Sequence, residues 1–348
     1  MKTKKKFRVG LIGVDSLRGK EIKNMLSVKR FPLTHIEFFD PDVKEEYSKL
    51  TQFQDEPRVI YHPNPDSLDG LDLVFLAADK QTNHTFGLLA KKKKFQAIDL
   101  GETFVNQEEI PAVVAGVNDE FIAKKRFPLI FNPHPVTIIL SSLLHRLIPK
   151  FGVSKAVAFV LQPVSAFDKS GIDELASQSA ALLSGASPRK KLFKEQIAFN
   201  LLSHTESLDA NGFSPGERQI ITEIKRVLVL PDFPISLSII QAPVFHTYSI
   251  MAYVELAREA SIRNLEYLYR ESPLFKMNVP GASRPVSSIS VAGKEQIFIG
   301  QIKKEETFPN AFWIWTVTDN LTRGSALNAL EIARIIFASK PHQDSSST

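Results

Sequence analysis

Cysteine is absent from all 348 residues of this chain. That absence excludes disulfide bonds, thiolate metal ligands and a catalytic thiol. No apolar run approaches the ~20 residues that a membrane-spanning helix needs. The lysine-rich start is followed by an apolar stretch that is too short and too interrupted by glycine for a secretory signal. With no targeting signal recognised, a cytoplasmic location is the expectation.

The composition is that of an ordinary globular protein, with 43% hydrophobic and 23% charged residues. At roughly 150 residues per domain, the length indicates two domains. The formal net charge is +5, and basic clusters occur at 2–6, 91–94 and 189–194. These clusters are scattered and lack interleaved aromatic residues, so they favour solvated surfaces over a nucleic-acid interface. Neither nucleic acid nor membrane is predicted as a partner.

The first half alternates short apolar runs with helical periodicity, which predicts a parallel sheet of the Rossmann type with helices on both faces. The predicted strands are 7–12, 36–39, 73–78, 97–99 and 129–131, and the predicted helices are 19–26 and 84–94.

The second half has longer alternating strands, which predict an α+β domain with a large mixed sheet. The predicted strands are 155–164, 236–242, 249–256, 297–303 and 312–317, the second and third of them in an antiparallel sheet. The predicted helices are 136–148, 172–183 and 325–337, and 184–194 is an exposed loop. The domain prediction is 1–132 with 321–340 returning to it, then 133–320, and a disordered tail at 341–348. Such a sheet commonly packs against a copy of itself, which makes a homodimer the expected assembly.

A glycine-containing turn joins the first strand to the first helix. Gly13 and Gly19 lie where glycines let a backbone approach a pyrophosphate at a helix N-terminus. Ser16 stands at the middle position, and Asp15 adds a negative charge. Asp40, after the second strand, can accept hydrogen bonds from a ribose 2′-hydroxyl, which favours NAD over NADP. The alternatives are a tight turn that binds nothing and an aspartate that starts a turn with Pro41.

Several short motifs combine along the chain. They are 30–32 (RFP), 98–99 (ID), 111–118, 132–133 (NP), Gln162 with 164–165 (VS), 198–200 (AFN), 241–245 (QAPVF) and 318–321 (TDNL) followed by Gly324. Their order and spacing resemble the aspartate-semialdehyde dehydrogenase family over nearly the whole chain. The runs 241–245 and 175–180 (LASQSA) are most similar to the Usg-type branch of that family.

The resemblance implies an NADPH-dependent reductive dephosphorylation of an acyl phosphate through a thioester, a reaction of amino-acid biosynthesis. The family's nucleophilic cysteine corresponds to Pro135, which has no nucleophilic atom but suits the first turn of a helix. Thr137 lies nearby, but the sequence identifies no base for its hydroxyl. The family's basic histidine corresponds to Tyr248. His246, two residues earlier and hence predicted on the same strand face, is an alternative acid.

The anion-binding positions of the family are also changed. The resemblance places its carboxylate-binding arginine at Gln241, its phosphate-binding arginine at Val105 and a lysine of the phosphate site at Gln219. None of these offers the charge and bidentate fork of a guanidinium. The positions that match are Gln162, Glu217, Asn132 and Asn320, to which the family assigns orientation of nucleophile, substrate and nicotinamide.

Two functional hypotheses follow. The first is a catalytically inactive homologue, a pseudoenzyme with a binding or regulatory role. The second is an NAD(P)-dependent oxidoreductase that works without a cysteine and uses Tyr248 or His246 as proton donor. The predicted cofactor is NAD or NADP, with NAD favoured, or none at all. No metal is predicted, and the small-molecule ligand is left open.

Overall fold

The computed structural model describes residues 7–44, 49–278 and 284–338, and these form two compact units. The first unit comprises the described parts of 1–14, 22–132 and 328–348, and the second those of 15–21 and 133–327. The basic cluster 2–6 and the tail 341–348 lie outside the described residues.

The sheet of the first unit has seven strands in the order β3-β4-β2-β1-β5-β6-β7. They are β1 (Phe7–Ile12), β2 (Leu33–Phe39), β3 (Lys49–Phe53), β4 (Glu56–Tyr61), β5 (Leu73–Leu76), β6 (Gln96–Asp99) and β7 (Leu129–Phe131). All neighbouring pairs are parallel except β3 with β4. Every residue of β5, β6 and β7 is buried, as expected of parallel strands covered on both faces. The predicted Rossmann-type sheet is confirmed.

The sheet of the second unit has six strands in the order β11-β12-β13-β10-β8-β9. They are β8 (Val153–Gln162), β9 (Ile235–Gln241), β10 (Tyr248–Leu256), β11 (Phe275–Met277), β12 (Ile297–Lys304) and β13 (Ala311–Thr318). The predicted mixed sheet is confirmed. The prediction that β9 belongs to an antiparallel arrangement is wrong, because β9 pairs only with β8 among the described strands, and in parallel. The long segment between them carries helices, and a helical crossover returns the chain in the same direction.

The helices follow the strands in both units. They are α1 (Leu17–Val28), α2 (Lys80–Gly87), α3 (Leu89–Lys93), α4 (Glu120–Lys124), α5 (Pro135–Phe151), α6 (Asp168–Leu183), α7 (Pro215–Leu228), α8 (Ile262–Arg270), α9 (Ser288–Val291) and α10 (Leu327–Ala338). Where one helix was predicted over 84–94, the structure has α2 and α3, which Leu88 separates. A π-helical turn at Thr322–Ala326 precedes α10. Within the described ranges, no helix combines the length and the apolar character needed to cross a bilayer.

The two faces of the second sheet differ in burial. Ala158, Ala252 and Ile314 lie side by side on the inner face and join the core that α5, α7 and α8 complete. On the outer face, the next register row is Phe159, Met251 and Trp315. Phe159 is 48% exposed, and Met251 and Trp315 are partly exposed. This row and the row Val157, Tyr253 and Trp313 are called the outer face below.

Candidate functional site

The position predicted to have lost its nucleophile is the first residue of α5. His134 is the N-cap, and its Nδ1 accepts a hydrogen bond from the Val136 amide at 3.1 Å. Pro135 follows at the first helical position, where its missing N–H leaves no bond unmade. The Pro135 ring is buried, and a Cβ added at Gly324 would lie only 2.9 Å from its Cβ. Proline therefore starts the helix and fills a closely packed position.

A buried carboxylate at the start of α5 was not recognised from the sequence. Glu223, on α7, is 1% exposed. Its Oε2 accepts from the His134 amide at 2.9 Å and from the Thr137 hydroxyl at 2.6 Å, while its Oε1 accepts from Gln219 at 2.8 Å. All three neighbours are donors, which suits an ionised carboxylate that only accepts. Its negative charge also complements the positive end of the helix dipole.

Thr137 thus has a carboxylate neighbour that sequence reasoning did not find. The pairing gives its hydroxyl a hydrogen-bond acceptor, but Thr137 is completely buried and Glu223 nearly so. The only sequence signal was the four-residue spacing of Gln219 and Glu223, which places both on one face of a helix. The arrangement stabilises the helix start without exposing a nucleophile.

A directed chain of hydrogen bonds connects four side chains around Tyr248. Its hydroxyl lies 3.3 Å from Nε2 of His134 and donates to Oε1 of Gln162 at 3.1 Å. Nε2 of Gln162 then donates to Oε1 of Gln241 at 3.0 Å, and Nε2 of Gln241 donates to the carbonyl of Gln162 at 3.0 Å. Because Nδ1 of His134 accepts from the backbone, its Nε2 carries the proton and donates to Tyr248. Every donor in the chain meets an acceptor.

These hydrogen bonds connect positions to which the resemblance assigns different roles. By the resemblance, Tyr248 is at the position of the family's base and Gln241 at that of its carboxylate-binding arginine. Gln162 is a position that matches the family. Tyr248 and Gln241 are each 1% exposed. The structure therefore brings these predicted site residues together, in a cluster whose polar atoms hydrogen-bond one another.

Glu217 has a structural environment of its own. It forms a capping box with Ser214 at the start of α7, where each side chain meets the other residue's amide. Its Oε1 also accepts from the Ile239 amide at 2.8 Å, which ties α7 to β9. Asn320 is likewise engaged: its Nδ2 donates to Ser165, and its Oδ1 accepts from the Thr247 amide at 3.0 Å.

The prediction that His246 shares a strand face with Tyr248 is wrong. β10 begins at Tyr248, and Thr247 has a φ of 75°, which breaks the alternation of side chains along a strand. Positive φ is unusual for a β-branched residue. His246 lies in the preceding bend, and its buried Nδ1 meets no hydrogen-bond partner within the described residues.

The first turn of α1 contains two of the predicted cofactor residues. Oγ of Ser16 accepts from the Gly19 amide at 2.9 Å, so Ser16 caps the helix. The Leu17 amide donates to the Asp168 carboxylate, with 3.3 Å to each oxygen. A protein carboxylate thus occupies the helix start, and Asp168 gave no sequence signal that would have placed it there.

The remaining predicted positions belong to the first unit. Gly13 has a φ of 85°, and an added Cβ would lie 2.4 Å from the Ala78 nitrogen, so only glycine fits. Asp40 is 3% exposed and accepts from the Asp42 amide at 3.1 Å, in a turn. Asn132 accepts from Asn328 at 2.7 Å. Val105 lies partly exposed in a loop.

Asp99, at the end of β6, is a fully buried carboxyl of the first unit. Burial raises the pKa of Asp99, while the amides of Gly101 and Thr103, at 2.9 and 2.7 Å, act in the opposite direction. Nδ2 of Asn83 donates at 3.1 Å. These contacts hold the loop after β6. No cluster of three or more metal-ligating side chains occurs in the part of the chain that the structure describes.

Comparison with known proteins places this geometry in a family. The model of the semialdehyde dehydrogenase dimerisation domain matches residues 144–323, and that of the semialdehyde dehydrogenase NAD binding domain matches 8–125. The aspartate-semialdehyde dehydrogenases of Rickettsia bellii and Aquifex aeolicus are each 25% identical to this chain. The matches cover 94% and 95% of this chain and 97% and 98% of theirs.

Solved structures share the fold. Aspartate semialdehyde dehydrogenase II of Vibrio cholerae, complexed with ASA, has a TM-score of 0.89 and 22% identity, covering 96% of this chain and 99% of its own. The Candida albicans enzyme, solved with NADP, has a TM-score of 0.71 and 16% identity, with the same coverage. The family models span most of both units, and we conclude that this chain belongs to the semialdehyde dehydrogenase family.

Proposed function

We propose that this protein is a catalytically silent, Usg-type member of its family that acts as a homodimeric binding or regulatory subunit. The observation that carries the proposal is the start of α5, where buried Pro135 stands at the position that the resemblance assigns to the cysteine. A proline ring offers no atom that can attack a carbonyl carbon, so a thioester cannot form there.

The surroundings of Pro135 support the proposal. His134, Tyr248, Gln162 and Gln241 form a hydrogen-bonded chain, which needs no substrate to satisfy its donors. Gln241 has neither the charge nor the fork with which arginine binds a carboxylate. Loss of one member of a catalytic triad costs on the order of 10⁴- to 10⁶-fold in rate. Here nucleophile, base and anion-binding positions differ together.

The outer face supports an assembly of two copies. It presents Phe159, Met251 and Trp315 in one register row, and this row belongs to the segment that matches a dimerisation domain. Exposed apolar surface of this kind marks an interaction site. A second copy is the proposed partner.

The second candidate function is an oxidoreductase that transfers hydride directly and needs no thiol. The Tyr248 hydroxyl, in contact with His134, is the group that favours it, because such a pair can supply a proton to a carbonyl. This candidate requires a bound dinucleotide. Titration of the purified protein with NAD and NADP separates the two: absence of saturable binding at millimolar concentration removes the oxidoreductase.

The test of catalytic silence is an assay of the purified full chain with aspartate semialdehyde, phosphate and either dinucleotide, followed through the absorbance of reduced nicotinamide. We expect no turnover by the wild type. Pro135→Cys is also expected to be inactive, because Gln241, Val105 and Tyr248 remain. A working aspartate-semialdehyde dehydrogenase is the positive control, and circular dichroism checks that the variant is folded. Turnover by either protein contradicts the proposal.

A further inference from the structure

The family implies a dinucleotide, and the first turn of α1 is where its pyrophosphate would be expected. Phosphates bind at helix N-termini because backbone N–H groups and the positive dipole end point at them. In this chain the Gly19 amide donates to Ser16, and the Leu17 amide donates to both carboxylate oxygens of Asp168. An anion of the protein itself therefore has the contacts that a phosphate would make.

The backbone of Asp168 is an independent indication that this contact is specific. Its φ is 56° and its ψ is −153°, a region that is almost restricted to glycine. An aspartate persists in such a conformation only when its surroundings hold it there. The carboxylate also accepts from the Lys169 amide at 2.6 Å, which fixes its orientation.

The turn that carries Asp168 is closely packed. It joins a short helical turn, Val164–Phe167, to α6. Gly171 lies so near the Val164 carbonyl that an added Cβ would be 2.0 Å from its oxygen. Further along α6, buried Gln178 accepts from the amides of Ile197 and Ala198. The Asp168 carboxylate therefore lies on a closely packed segment.

The residues at this helix start do not fit the pyrophosphate of a dinucleotide, and we infer that Asp168 is a built-in anion that excludes NAD and NADP from the first turn of α1. A phosphate placed at the Leu17 amide would meet a like charge that already holds that amide. Like charges at contact distance repel, most strongly where water is partly excluded. The inference goes beyond catalytic silence, because a silent homologue can still bind a dinucleotide.

The test compares binding of NAD and NADP to the wild type and to three variants of the full chain by isothermal titration calorimetry. Asp168→Gly removes the charge and suits the observed φ and ψ. Asp168→Asn removes the charge and keeps the strained backbone. Asp173→Asn is the matched control, because Asp173 lies on the same helix and pairs with Lys169 rather than with α1.

We expect no saturable binding by the wild type or by Asp173→Asn. Asp168→Gly should bind at least one dinucleotide with a dissociation constant about tenfold or more below the highest concentration at which the wild type shows no saturation, and Asp168→Asn should bind more weakly than Asp168→Gly. Tight, saturable binding by the wild type would overturn the inference. Wild-type-like behaviour of both Asp168 variants, in protein that melts cooperatively, would overturn it as well.

Hydrogen exchange provides a readout that does not depend on a ligand. Amides of the peptide that contains Leu17 should exchange faster in Asp168→Gly than in Asp173→Asn, since only the first variant loses the acceptor. Unchanged exchange would show that the carboxylate does not hold the helix start, and would overturn the inference. The turnover assay stays negative for all these proteins if the proposed function is right, so the two proposals fail separately.

Discussion

At the scale of single residues, the positions that the resemblance assigns to the base and to the carboxylate-binding arginine have internal hydrogen-bond partners. Tyr248 donates to Gln162, and Gln162 donates to Gln241, so these buried polar side chains are hydrogen-bonded to one another. Buried polar groups that lack partners destabilise a fold, so these hydrogen bonds contribute to stability. The cluster is therefore best understood as part of the protein's core polar network.

Glu223 accepts two hydrogen bonds at the start of α5. Glu223→Ala removes the acceptor of the His134 amide, which is partly buried, and of the Thr137 hydroxyl, which is fully buried. An unsatisfied buried group costs about 1–3 kcal/mol, so we expect a loss of about 3–5 kcal/mol in the free energy of unfolding, measured by urea titration and circular dichroism.

Glu223→Gln should lower the free energy of unfolding by less than half as much. The carbonyl oxygen of the new glutamine can still accept from the helix start, and the side-chain amide of Gln219 can rotate so that its oxygen accepts from the new NH₂ group. Glu120→Gln, on an exposed position of α4, is the control and should leave the free energy of unfolding unchanged. A small effect of Glu223→Ala would mean that water or another group satisfies the helix start.

At the scale of elements, local sequence signals indicate where a helix begins better than they indicate which strands pair. Proline at 135 predicted the first turn of α5, and the apolar run 129–131 predicted β7 to the residue. The sequence Ser214–Pro215–Gly216–Glu217 carries the signal of a helix start, with serine and glutamate three apart and proline between them. The predicted elements do not include α7, although this signal indicates where it begins.

Long-range contacts could not be predicted from local patterns. The parallel pairing of β8 with β9 depends on a crossover whose ends, Gln162 and Ile235, lie 73 positions apart in the sequence. The Asp168 carboxylate and the Leu17 amide are 151 residues apart. Periodicity reports which face of an element is buried, but not which distant element covers it. The sequence therefore predicted the type of each sheet, whereas the direction of β9, the strands β3, β4 and β11, and the polar clusters of the site needed the structure.

The N-cap of α2 gives a prediction that depends on pH. The Asp79 carboxylate accepts from the amides of Gln81 and Thr82, and the Thr82 hydroxyl bond is the main cause that lowers the pKa of Asp79 below 3.8. A lowered folded-state pKa contributes stability above the unfolded value, and this contribution is lost as the pH falls through the folded value. Asp79→Ala should therefore cost about 1 kcal/mol at neutral pH.

The difference between wild type and Asp79→Ala should narrow as the pH falls below 3.8, where the cap becomes protonated. Asp79→Asn is the matched control, since asparagine caps without ionising, and its urea midpoint should follow that of Asp79→Ala at a constant offset. A difference between wild type and Asp79→Ala that does not change with pH would contradict the assignment of the cap.

At the scale of the whole molecule, the second sheet has one face in the core and one face with partly exposed aromatic and apolar side chains. Trp313 and Tyr253 pack with ring centroids 4.9 Å apart, next to the row of Phe159, Met251 and Trp315. In a monomer this apolar surface stays in contact with water, which is unfavourable. Two copies can bury it against each other and so gain free energy from the hydrophobic effect.

Phe159→Lys and Met251→Lys each introduce a charge into the outer face, and a two-fold interface would contain the change twice. Burying an unpaired charge costs about 3–5 kcal/mol, so we expect the dissociation constant of the dimer to rise by at least about a hundredfold. Light scattering coupled to size-exclusion chromatography should then find a dimer for the wild type and monomers for both variants.

Tyr267→Lys is the matched control, because Tyr267 is 66% exposed on α8, a helix that packs with the inner-face core. A monomeric wild type would contradict the homodimer, whereas dissociation by Tyr267→Lys alone would place the interface elsewhere; in both cases the outer face would need a different partner to explain its composition.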